Sequence, residues 1–219
     1  SSSTSLSVLE LMKLIQGIVP KGVINLITGK GSKSGEFLQH HTGLDKLAFT
    51  GSTEVGREIG LSAAQMIIPS TLELGGKSAN VFFKDADMKM ALEGIQLGIL
   101  FNQGQVCSAG SRIFVEESFY DEFMAHVIPA FKNLKVGNPL DMNTQMGAQV
   151  DERQLNKILS YVEIGKQEGA KVAVGGARYT EGEAAKGCFM QPTLLTDVTN
   201  DMRVAQEEIF GPVGVVIKF

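Results

Sequence analysis

Along the first third of the chain, helical and extended patterns alternate, and glycine stands where one gives way to the other. Residues 5–18 carry apolar side chains at Leu6, Val8, Leu9, Leu11, Met12 and Ile15, a helical spacing with serine and threonine at hand as caps. Pro20-Lys21-Gly22 turns the chain into the apolar run 23–27, which predicts a buried parallel strand. Gly29-Lys30-Gly31-Ser32-Lys33-Ser34-Gly35 leads into a short helix ending near His41. Residues 46–50 predict another strand, and Gly51-Ser52 opens a helix to about Ala64. This order points to an α/β fold with a doubly wound, Rossmann-like layer.

The pattern continues beyond it. An extended run at 66–68 precedes Glu73, and 79–83 predicts a strand. Residues 85–102 predict a helix with Met88, Leu92, Ile95 and Ile99 on one core face. A strand at 112–115 and a helix at 117–134 follow, the latter with Phe119, Phe123, Val127 and Phe131 on its apolar face. Residues 135–149 are polar and read as a long surface loop, 151–169 as a helix, and 171–174 and 190–194 as short strands flanking a loop at 179–186. No linker separates independent domains, and no repeat appears.

Composition narrows the function classes. A chain of 219 residues is long enough to bury a core and form one or two domains. The net charge is −4 and the basic residues are scattered, so no patch suits nucleic acid. No apolar run reaches the ~18 residues of a membrane span. Two cysteines at unrelated positions suit a reducing, cytoplasmic setting. The chain starts at Ser1-Ser2-Ser3-Thr4 without Met and stops inside a strand-like run, so it reads as a fragment whose targeting signal, if any, lies elsewhere.

Chemistry concentrates between Glu73 and Cys107. Gly104, Ser108, Ala109 and Gly110 around Cys107 are too small to fill a core and leave room for a second molecule to reach the sulfur. Cys188, between Gly187 and Phe189 in a β-like run, is the poorer nucleophile candidate. A free thiol is only a few per cent thiolate at neutral pH. The usual helper is a histidine, but His40 and His41 fall at a helix–loop junction and His126 on an amphipathic helix. Glu73, before a Gly-Gly turn, is the alternative base, provided partial burial raises its pKa; taken alone it reads first as a solvated or capping carboxylate, and the small residues around Cys107 bring the two readings level. The loops at 29–35 and 51–56 are phosphate candidates, with Ser52 at a strand-to-helix junction where N–H groups and the helix dipole favour an anion. By themselves they are also a glycine-rich turn and an ordinary N-cap. Gln154 and Lys157 stand three apart on one helix face, a solvated face on spacing alone. Glu208 and Phe210, ahead of Gly211-Pro212, can grip a ribose and shelter a flat ring, or simply close a helix before a strand.

These stretches resemble a known family. Leu72-Glu73-Leu74-Gly75-Gly76-Lys77-Ser78 is similar to the glutamate signature of the NAD(P)-dependent aldehyde dehydrogenases. The run from Phe101 to Arg112 is similar to their cysteine signature. Residues 49–56 resemble their pyrophosphate motif and 206–213 a third signature. The resemblance covers essentially the whole chain. It implies a cofactor-binding part at 1–72 and a thiol-bearing catalytic part at 73–219. It implies Cys107 as nucleophile, forming a thiohemiacetal and then a thioester, and Glu73 as the base that activates the hydrolytic water. It implies cofactor contacts at Gly31, Gly51, Ser52, Gly56, Leu74, Gln154, Lys157, Glu208 and Phe210. Glu73 favours release of a free acid over acyl transfer to coenzyme A. The family's oxyanion asparagine and adenosine-ribose lysine would precede Ser1, and its assembly strand would follow Phe219. A serine near position 2, where an acidic residue would select NAD, leaves NADP tolerable, with NAD the expected cofactor. The implied partners are a small aldehyde and further copies of the chain as a homodimer or homotetramer, with no nucleic acid or membrane. A non-catalytic scaffold and a cofactor-free cysteine hydrolase stand as alternatives. Retention of Glu73, Cys107 and Glu208 together weighs against the first, and the lack of a histidine in either signature against the second.

Overall fold

The computed structural model describes residues 3–219 and divides into two compact units, Ser1–Leu74 and Gly75–Phe219. Position 2, which bears on the choice between NAD and NADP, lies outside the described residues.

The first unit holds helix α1 (Ser5–Ile15), a π-helical turn (Gly31–Gly35), helix α2 (Glu36–Gln39), strand β1 (Leu47–Gly51), helix α3 (Thr53–Met66) and strand β2 (Ser70–Leu74). The two strands run parallel, with Thr50 opposite Glu73 and Gly51 opposite Leu74. A small core of Leu47, Ile59 and Ala63, backed by Phe49, Met66 and Leu72, packs α3 on the pair. Gly56 makes this possible. It is buried, and a Cβ there would collide with the Leu74 side chain, so α3 lies closer to β2 than a larger residue would allow. Ser52 caps α3, its Oγ accepting from Val55 N–H at 3.4 Å.

Two expectations fail here. Residues 23–27 form no strand, and Val23, Ile24, Leu26 and Ile27 are exposed. A strand exists through its ladder, and no described strand pairs with this run. The run 66–68 is not extended either: Met66 ends α3 and Ile67 caps it in the left-handed region (φ 57°), its carbon side chain 92% exposed. The extended segment starts at Ser70, so Glu73 sits within a strand rather than after one.

The second unit is built on a five-stranded sheet. In chain order come β3 (Ala79–Phe82), α4 (Met88–Leu100), β4 (Arg112–Val115), α5 (Tyr120–Lys132), α6 (Glu152–Gln167), β5 (Lys171–Val174), β6 (Thr193–Thr196), α7 (Arg203–Gln206) and β7 (Val213–Lys218). The sheet order is β3-β4-β7-β6-β5, parallel except for the antiparallel β5–β6 pair. Period-two alternation splits the strand side chains between two cores. Ile113, Val115, Leu194 and Val216 face a cluster with Ile95, Ile99, Phe123, Val127 and Phe131 of α4 and α5. Leu195, Val213, Val215 and Ile217 face Leu155, Ile158 and Val162 of α6. Helices therefore cover both faces, as buried parallel strands require, and the α/β class expected from the alternation is the one observed. Local bounds differ: α1 stops at Ile15, α4 at Leu100, β6 starts at Thr193, and residues 182–186 of the expected loop wind into a 3-10 turn. No helix among the described residues is long and apolar enough to cross a membrane.

Phe123 is fully buried and stacks against Phe82 (centroids 4.9 Å) and Phe119 (5.7 Å). Phe123→Ala is expected to cost the second unit about 3–5 kcal/mol, measured by urea denaturation.

Candidate active site

Cys107 is exposed, on the loop that carries the chain from α4 to β4. Helix α4 does not run to Asn102 as its periodicity suggests. Asn102 (φ 48°), Gln103 (φ 57°) and Gly104 (φ 71°) are all left-handed and reverse the chain within a 3-10 turn (Phe101–Gly104). Such a conformation is costly for Asn and Gln and needs outside support. Asn102 Nδ2 donates to the Gln105 carbonyl (3.1 Å), Gln149 Nε2 to the Gln103 carbonyl (3.5 Å), and Val150 N–H to Gln105 Oε1 (3.1 Å). Gly104 is where the loop meets its neighbour: a Cβ would run into the backbone of Gly211 and Pro212. Farther along, Gly110 N–H reaches the Gly98 carbonyl, and its own carbonyl accepts from Asn80 Nδ2 at 3.1 Å. The cysteine thus sits on a loop pinned at both ends and open in the middle.

Two more segments of the same unit close around it. The Gly75-Gly76-Lys77 turn approaches from one side: a Cβ on Gly76 would lie 3.7 Å from the Cys107 carbonyl oxygen, and one on Gly75 would collide with the Glu208 carboxylate. Arg112 ties this turn to β4, its Nε donating to the Lys77 carbonyl at 2.8 Å and its backbone N–H to Ser78 at 3.1 Å. The segment 208–212 comes from the other side. Phe210 is left-handed (φ 59°), a strained position for an aromatic residue. Gln154 and Lys157 of α6 hold it: Gln154 Nε2 donates to the carbonyls of Ile209 (3.2 Å) and Phe210 (2.8 Å), and Lys157 Nζ to that of Glu208 (3.1 Å). Neither is the idle solvated pair that spacing alone allows. Glu207 anchors the same stretch, accepting from Tyr161 Oη (2.7 Å) and pairing with Arg203 (2.8 Å). Those hydrogen bonds, with Arg203 first, hold its carboxyl at about 2.

The second cysteine is placed quite differently. Cys188 lies in a turn rather than a β run, and its Sγ donates to Glu152 Oε2 at 3.5 Å. Burial and that carboxylate push its thiol up, which makes it the poorer nucleophile. His126 is occupied on its own helix, with Nδ1 against the Glu122 carbonyl.

In the first unit, Gly31 and Ser52 line a groove of about 780 Å³ with Phe49, Val55 and Ile59, at the N-terminus of α3. Gly51, Gly56 and Leu74 meet where β1, β2 and α3 converge, so Gly56 and Leu74 carry the packing. Gly31 has open space around it. Glu73 is exposed, so partial burial, the condition expected to make it a base, is not what the structure gives it. Sequence reasoning overlooked Lys77, Asn80 and Arg112 as site-building residues. A lysine directly after Gly-Gly in an apolar stretch was the available signal.

The model of the aldehyde dehydrogenase family matches residues 1–219. The chain belongs to the aldehyde dehydrogenase family. It is 48% identical over 221 residues to human retinal dehydrogenase 2, covering all of this chain and 42% of that protein. Among solved structures, betaine aldehyde dehydrogenase from Staphylococcus aureus in complex with NAD+ superposes with a TM-score of 0.97 at 42% identity. The NAD+ complex of aldehyde dehydrogenase from Bacillus cereus gives 0.95 at 45%. Each match covers all of this chain and 44% of the other, so this aldehyde dehydrogenase chain spans under half the length of its relatives.

Because Glu207 is held below its ordinary 4.5, its contribution to stability is present above that value and is lost as pH falls toward 2. Glu207→Gln is therefore expected to flatten the fall in stability between pH 5 and 2, read from thermal melts across that range. Gly104→Ala is expected to leave both cores folded yet displace the cysteine loop, seen as a changed rate of Cys107 alkylation by iodoacetamide.

Proposed function

We propose that the whole protein oxidises a small aldehyde to its carboxylic acid with NAD, through Cys107. The observation that carries this reading is an exposed cysteine on a loop whose Gly104 packs against the backbone of Gly211 and Pro212, directly after Glu208 and Phe210. The residues suit a dinucleotide. The groove at the N-terminus of the fourteen-residue α3, with Ser52 and Gly31, suits a pyrophosphate. Glu208 stands beside Gly75 with its Oε1 unpartnered, so its carboxylate is not committed to another side chain, which suits a ribose hydroxyl. Gly51, Gly56 and Leu74 shape the first of these places, and Gln154 and Lys157 fix the second by holding the backbone around Phe210. The relatives solved with NAD+ support the same cofactor here. On this reading the unit Ser1–Leu74 is the end of a cofactor domain and Gly75–Phe219 the thiol domain.

The Cys107 thiolate adds to the aldehyde carbon, forming the C–S bond and sending the carbonyl pair to oxygen. No acceptor among the described residues takes the Cys107 N–H, so this donor is available to the oxyanion. Bound there, a nicotinamide would supply the hydride acceptor, and Cys107 would hold the oxidised acyl group as a thioester. Glu73 takes a proton from water, the resulting hydroxyl adds to the thioester carbon, and the C–S bond breaks to free the acid and the thiolate. Glu73 is exposed, so water reaches its carboxylate directly. The family likeness further supports a homodimer or homotetramer in a cytoplasmic setting.

NAD is expected to slow alkylation of Cys107 and leave Cys188 unaffected, followed by peptide mass spectrometry. Equal labelling with and without NAD refutes the cofactor assignment. The 219-residue chain alone, spanning under half of its relatives, is expected to turn over aldehydes poorly or not at all. Turnover at a full-length rate, read as NADH absorbance, refutes that.

A further inference from the structure

Lys77 Nζ and Glu208 Oε1 are both buried, and neither finds a hydrogen-bond partner in the protein. They line one cavity of about 10 Å³ together with Gly76, Gly104, Val106 and Ser111. That is room for about one water molecule. No ion pair joins the two side chains among the described residues, so they are not in direct contact. Two opposite charges buried beside a water-sized space, with no other partner, are costly unless each answers the other.

We infer that Lys77 is a positioning residue for Glu208: its ammonium holds the carboxylate in the orientation seen against Gly75, where it is aimed for the nicotinamide ribose. The inference rests on the proposed role of Glu208. The charges that reach Lys77 are two. Arg112 from β4 repels it, and Glu208, from the segment before β7, attracts it. Burial is the largest influence, and with Arg112 it brings the lysine down to about 8 from 10.5, against the pull of Glu208. The ammonium is therefore easier to deprotonate than an exposed lysine, and Glu208 is what opposes that loss. Arg112 is directed elsewhere, its Nε to the Lys77 carbonyl and an Nη to Asn200 Oδ1.

The test begins with the lysine. In the full chain with ¹⁵N-labelled lysine, the Lys77 Nζ resonance is expected to titrate near pH 8, apart from the exposed lysines. Glu208→Gln is expected to lower that midpoint by about one pH unit, the size of an opposite charge removed at close range. A midpoint that Glu208→Gln leaves unmoved overturns the pairing, and this arm needs no change at Lys77. The second arm is affinity for NAD by calorimetry. Lys77→Met is expected to raise the Kd about tenfold, the scale of an opposite charge removed at close range, and to have no effect in the Glu208→Gln background. Lys77→Arg, which keeps the charge, is expected to restore part of the affinity. A loss of equal size in both backgrounds overturns the inference by showing that Lys77 acts without Glu208. Absence of NAD binding to the unaltered chain counts against the proposed cofactor alone, since the titration still decides the pairing.

Discussion

The geometry of the second unit turns on one close approach, the backbone of Gly104 against the backbone of Gly211 and Pro212. Neither segment is regular structure. One leaves a helix through three left-handed residues, and the other passes from α7 to β7 through a left-handed phenylalanine. Irregular backbone of this kind carries strain of order 1–3 kcal/mol per residue and survives only where its surroundings over-determine it. Here each strained segment is the other's surroundings. The absence of a Cβ at Gly104 lets them touch, and side chains from elsewhere (Gln149 to one, Gln154 and Lys157 to the other) take up the carbonyls that no ladder claims. An exposed thiol in a fixed place is the product of that mutual support.

The doubly wound sheet supplies the frame. Strands β4 and β7 are neighbours, so the loops at their leading ends emerge side by side at the same edge of the sheet. The cysteine loop enters β4 and the Glu208–Phe210 segment enters β7. Parallel pairing alone thus brings together residues a hundred positions apart in sequence. The Gly75–Ser78 turn enters β3, the next strand over, which places all three segments along consecutive parallel strands. The two cores on either face keep those strands in register, and buried phenylalanines and isoleucines far from the sulfur matter to its position for that reason.

Much of this was legible in the sequence, and the reasons differ by element. The helices showed because their apolar faces recur at helical spacing: Ile95 and Ile99 of α4 and Phe123, Val127 and Phe131 of α5 are buried as the spacing selects, with Met88 and Leu92 partly so. Strands β4 and β5 were found at their observed limits because their neighbours are within the chain. The run 23–27 has the same composition and forms no strand, since hydrophobicity cannot supply a ladder partner. The end of α4 was misjudged because left-handed Asn102 and Gln103 are stabilised by Gln105, Gln149 and Val150 rather than by anything local. The small residues around Cys107 did announce an accessible sulfur. Spacing could not show what Gln154 and Lys157 grip, because their acceptors are carbonyls more than fifty residues away.

Lys77 marks the limit of pattern reading most sharply. Within its motif it looks like one more polar residue after a turn. Its position matters because β4 lies alongside and Arg112 takes its carbonyl, so the side chain is turned into the interior instead of toward water. A lysine with that much burial has two ways out: lose its proton, or keep a carboxylate near enough to hold it. Glu208 arrives at the same cavity only because β7 pairs with β4. The charge balance of the site is therefore a consequence of strand order.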